Sequence, residues 1–253
     1  MTGGLLRIFL ALLLFLAACS PFRGPPADVR VAVATNFKPA LEQLLPEFER
    51  ETGYRVQLTA GSTGKLYAQI RQGAPFDVFL AADQVRPMAL EEAGLIFGNS
   101  RFTYAVGQLV LWSPEDDVVG PADLDDPDLK RVALAQPDLA PYGQAAAQVF
   151  EHLELEAVLE TKGVFGENIG QTFAFVQTGN AELGFVAHTQ VLSLPDQQRG
   201  GVWHPPAGSY APIRQDAVML GRAADRHASG DFMVWLARDT TQARIAALGY
   251  AQP

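Results

Sequence analysis

Residues 29–37 read Val-Arg-Val-Ala-Val-Ala-Thr-Asn-Phe, and this stretch predicts a strand that passes directly into a helix. Its first six residues form a mostly apolar run of the kind found in strands. Pro39 stands just inside the next helix, where its missing N–H has no cost. The apolar side chains of residues 41–48 then follow the i, i+3, i+4, i+7 spacing of one helical face. The stretch therefore predicts a strand-to-helix junction with Thr35 and Asn36 at its turn.

A second junction of the same kind follows at Gly61-Ser62-Thr63-Gly64, after a predicted strand over residues 55–59. A helix start presents backbone N–H groups without partners, together with the positive end of the helix dipole. Two such starts that carry Ser, Thr or Asn can hold a small anion without positively charged side chains. The alternative is that Ser62 and Thr63 are ordinary N-caps, because Ser and Thr are favoured there in any protein.

Strand-like and helix-like segments alternate along the remaining chain, which predicts an α/β fold with largely parallel sheets. Residues 102–112 form a longer apolar run with Gly107 in its middle, and we expect one strand there that bends or passes between two lobes. Two further loop-to-helix junctions follow, at Tyr142-Gly143 and at Ile169-Gly170. If two lobes face each other, all four junctions can converge on one cleft.

The N-terminal residues predict export. Residues 1–18 combine Arg7, an apolar stretch too short to span a bilayer and a small-residue end, as secretory signal peptides do. Leu16-Ala17-Ala18-Cys19 resembles the bacterial lipobox, in which the cysteine becomes the lipidated first residue. Cys19 is the only cysteine of the chain, and residues 19–27 are then a lipid-anchored tether. An ordinary signal peptide that is cut nearby, leaving a free thiol, is the alternative.

Composition argues against other classes of function. The 253 residues carry a net charge of −9, so no nucleic-acid partner is predicted, and a bound anion must be held by local geometry. The four histidines lack metal-ligand spacing, which predicts no site for a metal cation. A nucleotide P-loop would need Gly at position 59 and Ser or Thr at position 66, where the chain has Thr59 and Leu66. We therefore interpret Lys65 as a solvated helix residue.

Five motifs occur in an order that is typical of one protein family. They are Ala34-Thr35-Asn36-Phe37, Ala60-Gly61-Ser62-Thr63-Gly64, Gly73-Ala74-Pro75-Phe76-Asp77-Val78-Phe79, Ala140-Pro141-Tyr142-Gly143 and Leu183-Gly184-Phe185-Val186-Ala187. Together they resemble the substrate-binding proteins of bacterial molybdate ABC transporters, the molybdate/tungstate-binding periplasmic family. The resemblance covers nearly all of the chain after residue 27.

The resemblance implies the class II periplasmic-binding-protein fold. That fold has two α/β lobes, each a mostly parallel sheet flanked by helices, and hinge strands that cross between the lobes. By position, lobe I would contain residues 28–105 and 213–253, and lobe II would contain residues 106–212. The C-terminal helices would then pack on lobe I.

The resemblance also implies the binding residues. The family holds its oxyanion ligand, molybdate or tungstate, through neutral hydrogen-bond donors, with no catalytic residue and no cofactor. By position these donors would come from Thr35, Asn36, Ser62 and Thr63, and from the backbone N–H groups of Tyr142 and Ile169. This chain departs from the pattern at two places. Many members have Ser where Asn36 stands, and many have a Tyr hydroxyl where this chain has Ala187 and His188.

The leading hypothesis is an extracytoplasmic, membrane-tethered monomer that captures molybdate or tungstate between two lobes and delivers it to an ABC permease. It would be a binding protein and not an enzyme. A receptor for sulfate or another small oxyanion is the first alternative, since sulfate has the same charge and shape. An exported phosphate-ester hydrolase is the second, although the sequence suggests no nucleophile–base pair. A sensor module that reports the oxyanion level to a partner protein is the third.

Overall fold

Ten strands in the computed structural model, which describes residues 27–252, are divided between two five-stranded sheets. The first sheet contains β1 (Val29–Ala34), β2 (Val56–Gly61), β3 (Val78–Leu80), β4 (Phe102–Gly107) and β10 (Ile213–Met219), in the order β2-β1-β3-β10-β4. The second contains β5 (Leu109–Ser113), β6 (Val132–Ala135), β7 (Gly163–Gly166), β8 (Leu183–Ala187) and β9 (Gly201–Trp203), in the order β7-β6-β8-β5-β9. Each sheet forms the centre of one lobe.

Helices cover both sheets. In the first lobe they are α1 (Lys38–Thr52), α2 (Thr63–Arg71), α3 (Val85–Glu92), α8 (His227–Ala237) and α9 (Asp239–Ala247). In the second lobe they are α4 (Pro141–His152), α5 (Glu156–Lys162), α6 (Ile169–Gln177) and α7 (His188–Leu192). The α/β prediction and its division into two lobes are therefore confirmed.

The C-terminal helices complete the core of the first lobe, as the resemblance implied. The ring of Phe48, on the buried face of α1, lies 5.4 Å from the ring of Phe232 and 5.2 Å from that of Trp235, both on α8. All three side chains are buried in one apolar cluster with residues of β1 and β10. Helix α1 ends at Gly53, whose φ of 74° is in the left-handed region that favours glycine.

Each sheet is mixed, whereas the sequence pattern predicts mostly parallel pairing. Strand β1 runs parallel to β2 and β3, and β6 runs parallel to β7 and β8. The antiparallel pairs are β10 with β3 and β4, and β5 with β8 and β9. Strands β5 and β10 are the first to follow a passage between the lobes. They enter their sheets from the opposite direction, which explains the antiparallel pairing.

The single strand predicted over residues 102–112 is wrong in one respect, because the structure has two strands there. Strand β4 ends at Gly107 in the first sheet, and β5 begins at Leu109 in the second. Gln108 stands between them, and its carbonyl oxygen accepts the N–H of His188 at 2.9 Å. One ladder of hydrogen bonds cannot serve two separate sheets, so the strand breaks where the chain changes lobe. The chain returns to the first sheet between Trp203 and Ile213.

Residues 1–26 and residue 253 lie outside the described part of the chain. The predicted signal peptide, Cys19 and nearly all of the predicted tether fall among them. Within residues 27–252, no helix is long and apolar enough to cross a membrane.

Candidate functional site

Four helix starts, two from each lobe, meet at one small pocket between the lobes. All six residues that were singled out from the sequence line it: Thr35, Asn36, Ser62, Thr63, Tyr142 and Ile169. None of the residues that line the pocket has a charged side chain. The four junctions that are distant in the sequence thus converge on one uncharged site.

The backbone N–H groups at these helix starts are free. Within the described chain, no protein acceptor takes up the backbone N–H of Asn36, Ser62, Thr63, Tyr142 or Ile169. The first N–H groups of any helix lack an acceptor in their own helix. Here they lie in a narrow pocket between two lobes, beside the positive ends of several helix dipoles. This arrangement is suited to an acceptor-only anion.

The hydrogen bonding of the Ser62 side chain distinguishes an N-cap from a ligand contact. It is the N-cap residue of α2 by position, but its side chain makes no capping hydrogen bond. The side chain is 2% exposed, and its Oγ atom has no hydrogen-bond partner. A buried hydroxyl without a partner costs about 1–3 kcal/mol. The interpretation of Ser62 as an ordinary N-cap is therefore wrong, and its hydroxyl is available to a bound acceptor.

Thr63 and Thr35 contribute differently to the pocket. The Thr63 Oγ1 atom accepts the backbone N–H of Ala82 at 3.1 Å, so its oxygen is already used in holding the short segment that follows β3. Its hydroxyl proton has no acceptor in the described chain. Thr35 lies opposite the second lobe: a Cβ added at Gly170 would meet its Cβ at 3.5 Å. That separation is an ordinary van der Waals contact, so the two helix starts lie side by side across the lobes.

The side chain of Asn36 is held by the protein itself. Its Nδ2 group donates to Gln215 Oε1 at 2.9 Å and to Tyr250 Oη at 3.3 Å, and the backbone carbonyl oxygen of Asn36 accepts the Tyr250 hydroxyl at 2.9 Å. The backbone N–H is therefore the donor that Asn36 retains for the pocket.

A buried polar network surrounds the pocket, and sequence reasoning missed it. Gln215 Oε1 accepts the Tyr104 hydroxyl at 2.9 Å, and Gln215 Nε2 donates to Tyr142 Oη at 3.3 Å. Burial raises the pKa of the Tyr104 and Tyr142 phenols well above the ordinary value, and it raises the pKa of Tyr250 to about 12. The phenols are neutral at physiological pH, so the network adds no charge to the site.

Ala187 and His188 lie apart from the pocket lining. The N–H of Ala187 donates to Gln190 Oε1 at 3.0 Å, and Gln190 Nε2 donates to the carbonyl oxygen of Ile169 at 3.2 Å. Gln190 therefore fixes the start of α6. The structure also brings two of the scattered histidines together, because the rings of His188 and His204 meet at 4.7 Å.

The surroundings of His188 act on its protonation. Burial lowers the pKa of His188, and the charges of His204 and Arg199 lower it further. The neutral form of the His188 ring is thereby favoured. Over residues 27–252, no group of three or more His, Cys, Asp or Glu side chains is placed to hold a metal ion.

Lys65 lies at the mouth of the cleft and not in the pocket. Its Nζ atom is 2.6 Å from Glu167 Oε1 on the other lobe, and both side chains are nearly half exposed. Next to it, the N–H of Gly64 donates to the carbonyl oxygen of Leu139 at 2.9 Å, again across the two lobes. The lobes are thus in contact along one side of the pocket.

Comparison with known proteins places this geometry in a family. A family model described as bacterial extracellular solute-binding protein matches residues 29–251. The chain is 43% identical to the molybdate-binding protein ModA of Azotobacter vinelandii over 252 residues, which cover 99% of both chains. It is 41% identical to the molybdate-binding protein ModA of Rhodobacter capsulatus over 229 residues, or 88% of both chains.

Solved structures agree with these relatives. The periplasmic molybdate-binding protein of Azotobacter vinelandii matches with a TM-score of 0.84 at 39% identity, covering 89% of this chain and 99% of that one. The sulfate-binding protein SubI of Mycobacterium tuberculosis matches with a TM-score of 0.72 at 12% identity, which shows a likeness of fold alone. The resemblance inferred from the motifs is confirmed, and the chain belongs to the bacterial extracellular solute-binding protein family.

Proposed function

We propose that this protein is the extracytoplasmic component of an ABC transporter that captures molybdate. The observation that carries the proposal is the Ser62 hydroxyl, which is buried and unpartnered in a pocket lined by free backbone N–H groups. Relatives that are 43% and 41% identical over most of their length are molybdate-binding proteins, which supports this ligand.

The donor set fits a dianion that carries no proton. Five free backbone N–H groups and the hydroxyls of Thr35, Ser62 and Thr63 are proposed to replace the water shell of the anion. Hydrogen bonds to a charged acceptor contribute about 1.5–3 kcal/mol each, more than neutral pairs do. Several such bonds can offset the desolvation of the dianion and leave micromolar or tighter binding.

The same donor set discriminates against phosphate. Molybdate and tungstate are unprotonated near neutral pH, whereas phosphate is partly protonated and needs an acceptor for its proton. The pocket lining includes no carboxylate to accept a phosphate O–H, and the amide oxygen of Asn36 is a buried side-chain acceptor that stands unpartnered among the described lining residues. We therefore propose tungstate as a second ligand. Sulfate differs from molybdate only in its smaller size, and pocket size would have to reject it.

Isothermal titration of the purified protein with molybdate, tungstate, sulfate and phosphate tests the proposal. We expect heat and thermal stabilisation with molybdate and tungstate, and much weaker binding of sulfate and phosphate. The absence of both effects with molybdate and tungstate would refute the proposal. Preferential binding of sulfate would instead favour the alternative receptor.

The remaining parts of the proposal concern the surroundings of the protein. We propose a monomer that is anchored by a lipid on Cys19 and that passes its anion to an ABC permease without enzymatic turnover. Two lobes that contact each other at the cleft mouth, and that crossing segments join within residues 27–252, are suited to hinge closure. Mass spectrometry of the mature N-terminus tests the anchor, because acylation of Cys19 adds the mass of the lipid and Cys19→Ser removes it.

A further inference from the structure

Gln215 is a fully buried polar side chain that touches both lobes without lining the pocket. It lies on β10, the strand that returns from the second lobe to the first. Its Oε1 atom accepts two hydrogen bonds of 2.9 Å, from Asn36 Nδ2 and from the Tyr104 hydroxyl. Both of these partners belong to the first lobe. Its Nε2 atom donates at 3.3 Å to Tyr142 Oη, which belongs to the second lobe.

The backbone around Gln215 allows its side chain to form hydrogen bonds to both lobes. The register between β10 and β4 shifts between Gln215 and Asp216, which is typical of a bulge that redirects a side chain. Gly107, the last residue of β4, lies directly beneath the bridge. A Cβ atom at Gly107 would be 2.1 Å from Tyr142 Oη and 2.7 Å from Gln215 Nε2. Only glycine leaves room for the hydrogen bond between the two lobes at this point.

The two residues that Gln215 holds across the cleft are among the five that present free backbone N–H groups to the pocket. Asn36 stands before α1 in the first lobe, and Tyr142 stands in the first turn of α4 in the second. If the lobes separate, we expect the bonds from Gln215 to Asn36 and Tyr104 to persist, since these residues share a lobe, and the bond to Tyr142 to be lost. Like the Gly64–Leu139 and Lys65–Glu167 contacts at the cleft mouth, this bond can form only when the lobes are together. It differs from those two contacts because it is buried behind the pocket.

We infer that Gln215 is a positioning residue that couples lobe closure to anion capture, by bonding the Tyr142 hydroxyl only when the two halves of the pocket are together. The inference rests on the proposed function. The apparent affinity of a binding protein falls in proportion to the fraction of molecules that can reach the binding-competent form. A hydrogen bond that exists only in the closed form thus raises affinity without touching the ligand.

A matched pair of variants tests this inference. Tyr142→Phe removes the hydroxyl that Gln215 reaches across the cleft and keeps the backbone N–H of residue 142. Tyr104→Phe removes a hydroxyl that Gln215 accepts within the first lobe. We expect Tyr142→Phe to weaken molybdate binding about tenfold, with an unchanged melting temperature of the unliganded protein. We expect Tyr104→Phe to lower that melting temperature and to change the affinity by less than about twofold.

A third variant tests whether Gln215 acts through Tyr142. In the double variant, Gln215→Met with Tyr142→Phe, we expect little loss of affinity beyond that of the stronger single variant, because both remove the same bond. If Gln215→Met does not fold, the two tyrosine variants still decide the question. Equal affinity of Tyr142→Phe and the unmodified protein, or equal losses for both tyrosine variants, would overturn the inference. Failure of the unmodified protein to bind molybdate would instead refute the proposed function.

Discussion

The Ser62 hydroxyl is the group on which the proposed pocket depends most directly. Because its Oγ atom is buried without a partner, Ser62→Ala removes no hydrogen bond from the unliganded protein. In the complex it removes a bond to a charged acceptor, which contributes about 1.5–3 kcal/mol. We expect the molybdate affinity of Ser62→Ala to fall about tenfold to a hundredfold, with an equal or slightly higher melting temperature without ligand. Calorimetric titration and thermal unfolding measure the two effects.

Ser229 offers a matched control for this substitution. Its Oγ atom is also buried and unpartnered, but it lies on α8, away from the pocket. Ser229→Ala is expected to leave the molybdate affinity unchanged. If Ser62→Ala and Ser229→Ala bind molybdate equally well, the Ser62 hydroxyl is not a ligand contact.

Sequence reasoning located the residues of the pocket but not those behind it. Thr35, Ser62 and Ile169 stand at junctions with a local signature, since each strand or loop passes into a helix within a few residues. Gln215 and Tyr250 have no such signature. They contact Asn36 from 179 and 214 residues away, and such pairs are fixed only by the folded topology. The sequence likewise cannot show that the Ser62 hydroxyl makes no capping hydrogen bond, because Ser at this position is typical of an N-cap.

Gly107 ends β4 at a point where there is no room for a larger side chain. Gly107→Ala would place a Cβ atom 2.1 Å from Tyr142 Oη, so the second lobe must shift or Tyr142 must leave its position. Real Cβ atoms do not approach so closely, and overpacking of this kind typically costs about 1–3 kcal/mol. We expect Gly107→Ala to lose at least tenfold in molybdate affinity, as measured by titration.

Gly230→Ala is the control for Gly107→Ala, because it adds the same methyl group at a glycine far from the lobe contact. Gly230 lies inside α8, and an added Cβ there meets nothing within 4 Å. Gly230→Ala should therefore stabilise the helix by about 0.5–1 kcal/mol and leave binding unchanged. Normal molybdate binding by Gly107→Ala would show that the close contact with Tyr142 is not needed for capture.

The interruption of β4 and β5 also marks the limit of sequence reasoning for elements. Gly107 indicated that the strand predicted over residues 102–112 bends or passes between lobes. It did not indicate that the residues form two strands in two different sheets. The apolar character of the run continues through such a break, because β4 is largely apolar and β5 is buried throughout. The helices were easier to predict, because amphipathic spacing and terminal glycines such as Gly53 act within one element.

The buried phenols predict how the stability of the whole molecule changes at high pH. The raised pKa values of Tyr104, Tyr142 and Tyr250 mean that the folded state keeps protons which the unfolded state loses above pH 10. Their contribution is complete below pH 10 and is lost as the pH rises towards about 12, the value for Tyr250.

Urea unfolding measured between pH 9 and 12 checks this behaviour. The free energy of unfolding should fall above pH 10 by up to about 1.4 kcal/mol per pH unit for each buried phenol. Tyr250→Phe should make the decline shallower. An equal decline in both proteins would contradict the assignment of Tyr250 as one of the groups responsible.

The contact between lobes at the cleft mouth predicts a small, salt-sensitive effect on release. Lys65 and Glu167 form a 2.6 Å ion pair across the lobes, but both side chains are nearly half exposed, so solvent screens most of their attraction. We expect Lys65→Met to speed the release of molybdate by no more than about fivefold, which corresponds to about 1 kcal/mol. The difference should vanish near 1 M salt, where the screening length is about 3 Å. Stopped-flow dissociation measures both.

Lys38 provides the matched control, because it forms a 2.6 Å ion pair with Glu42 inside α1 with similar exposure. Lys38→Met removes the same kind of charge from the same lobe but breaks no contact between lobes. Its release rate should equal that of the unmodified protein at every salt concentration. If the two lysine variants release molybdate equally fast, net charge governs release. If only Lys65→Met is faster, and only at low salt, the ion pair across the cleft stabilises the closed form that holds the anion.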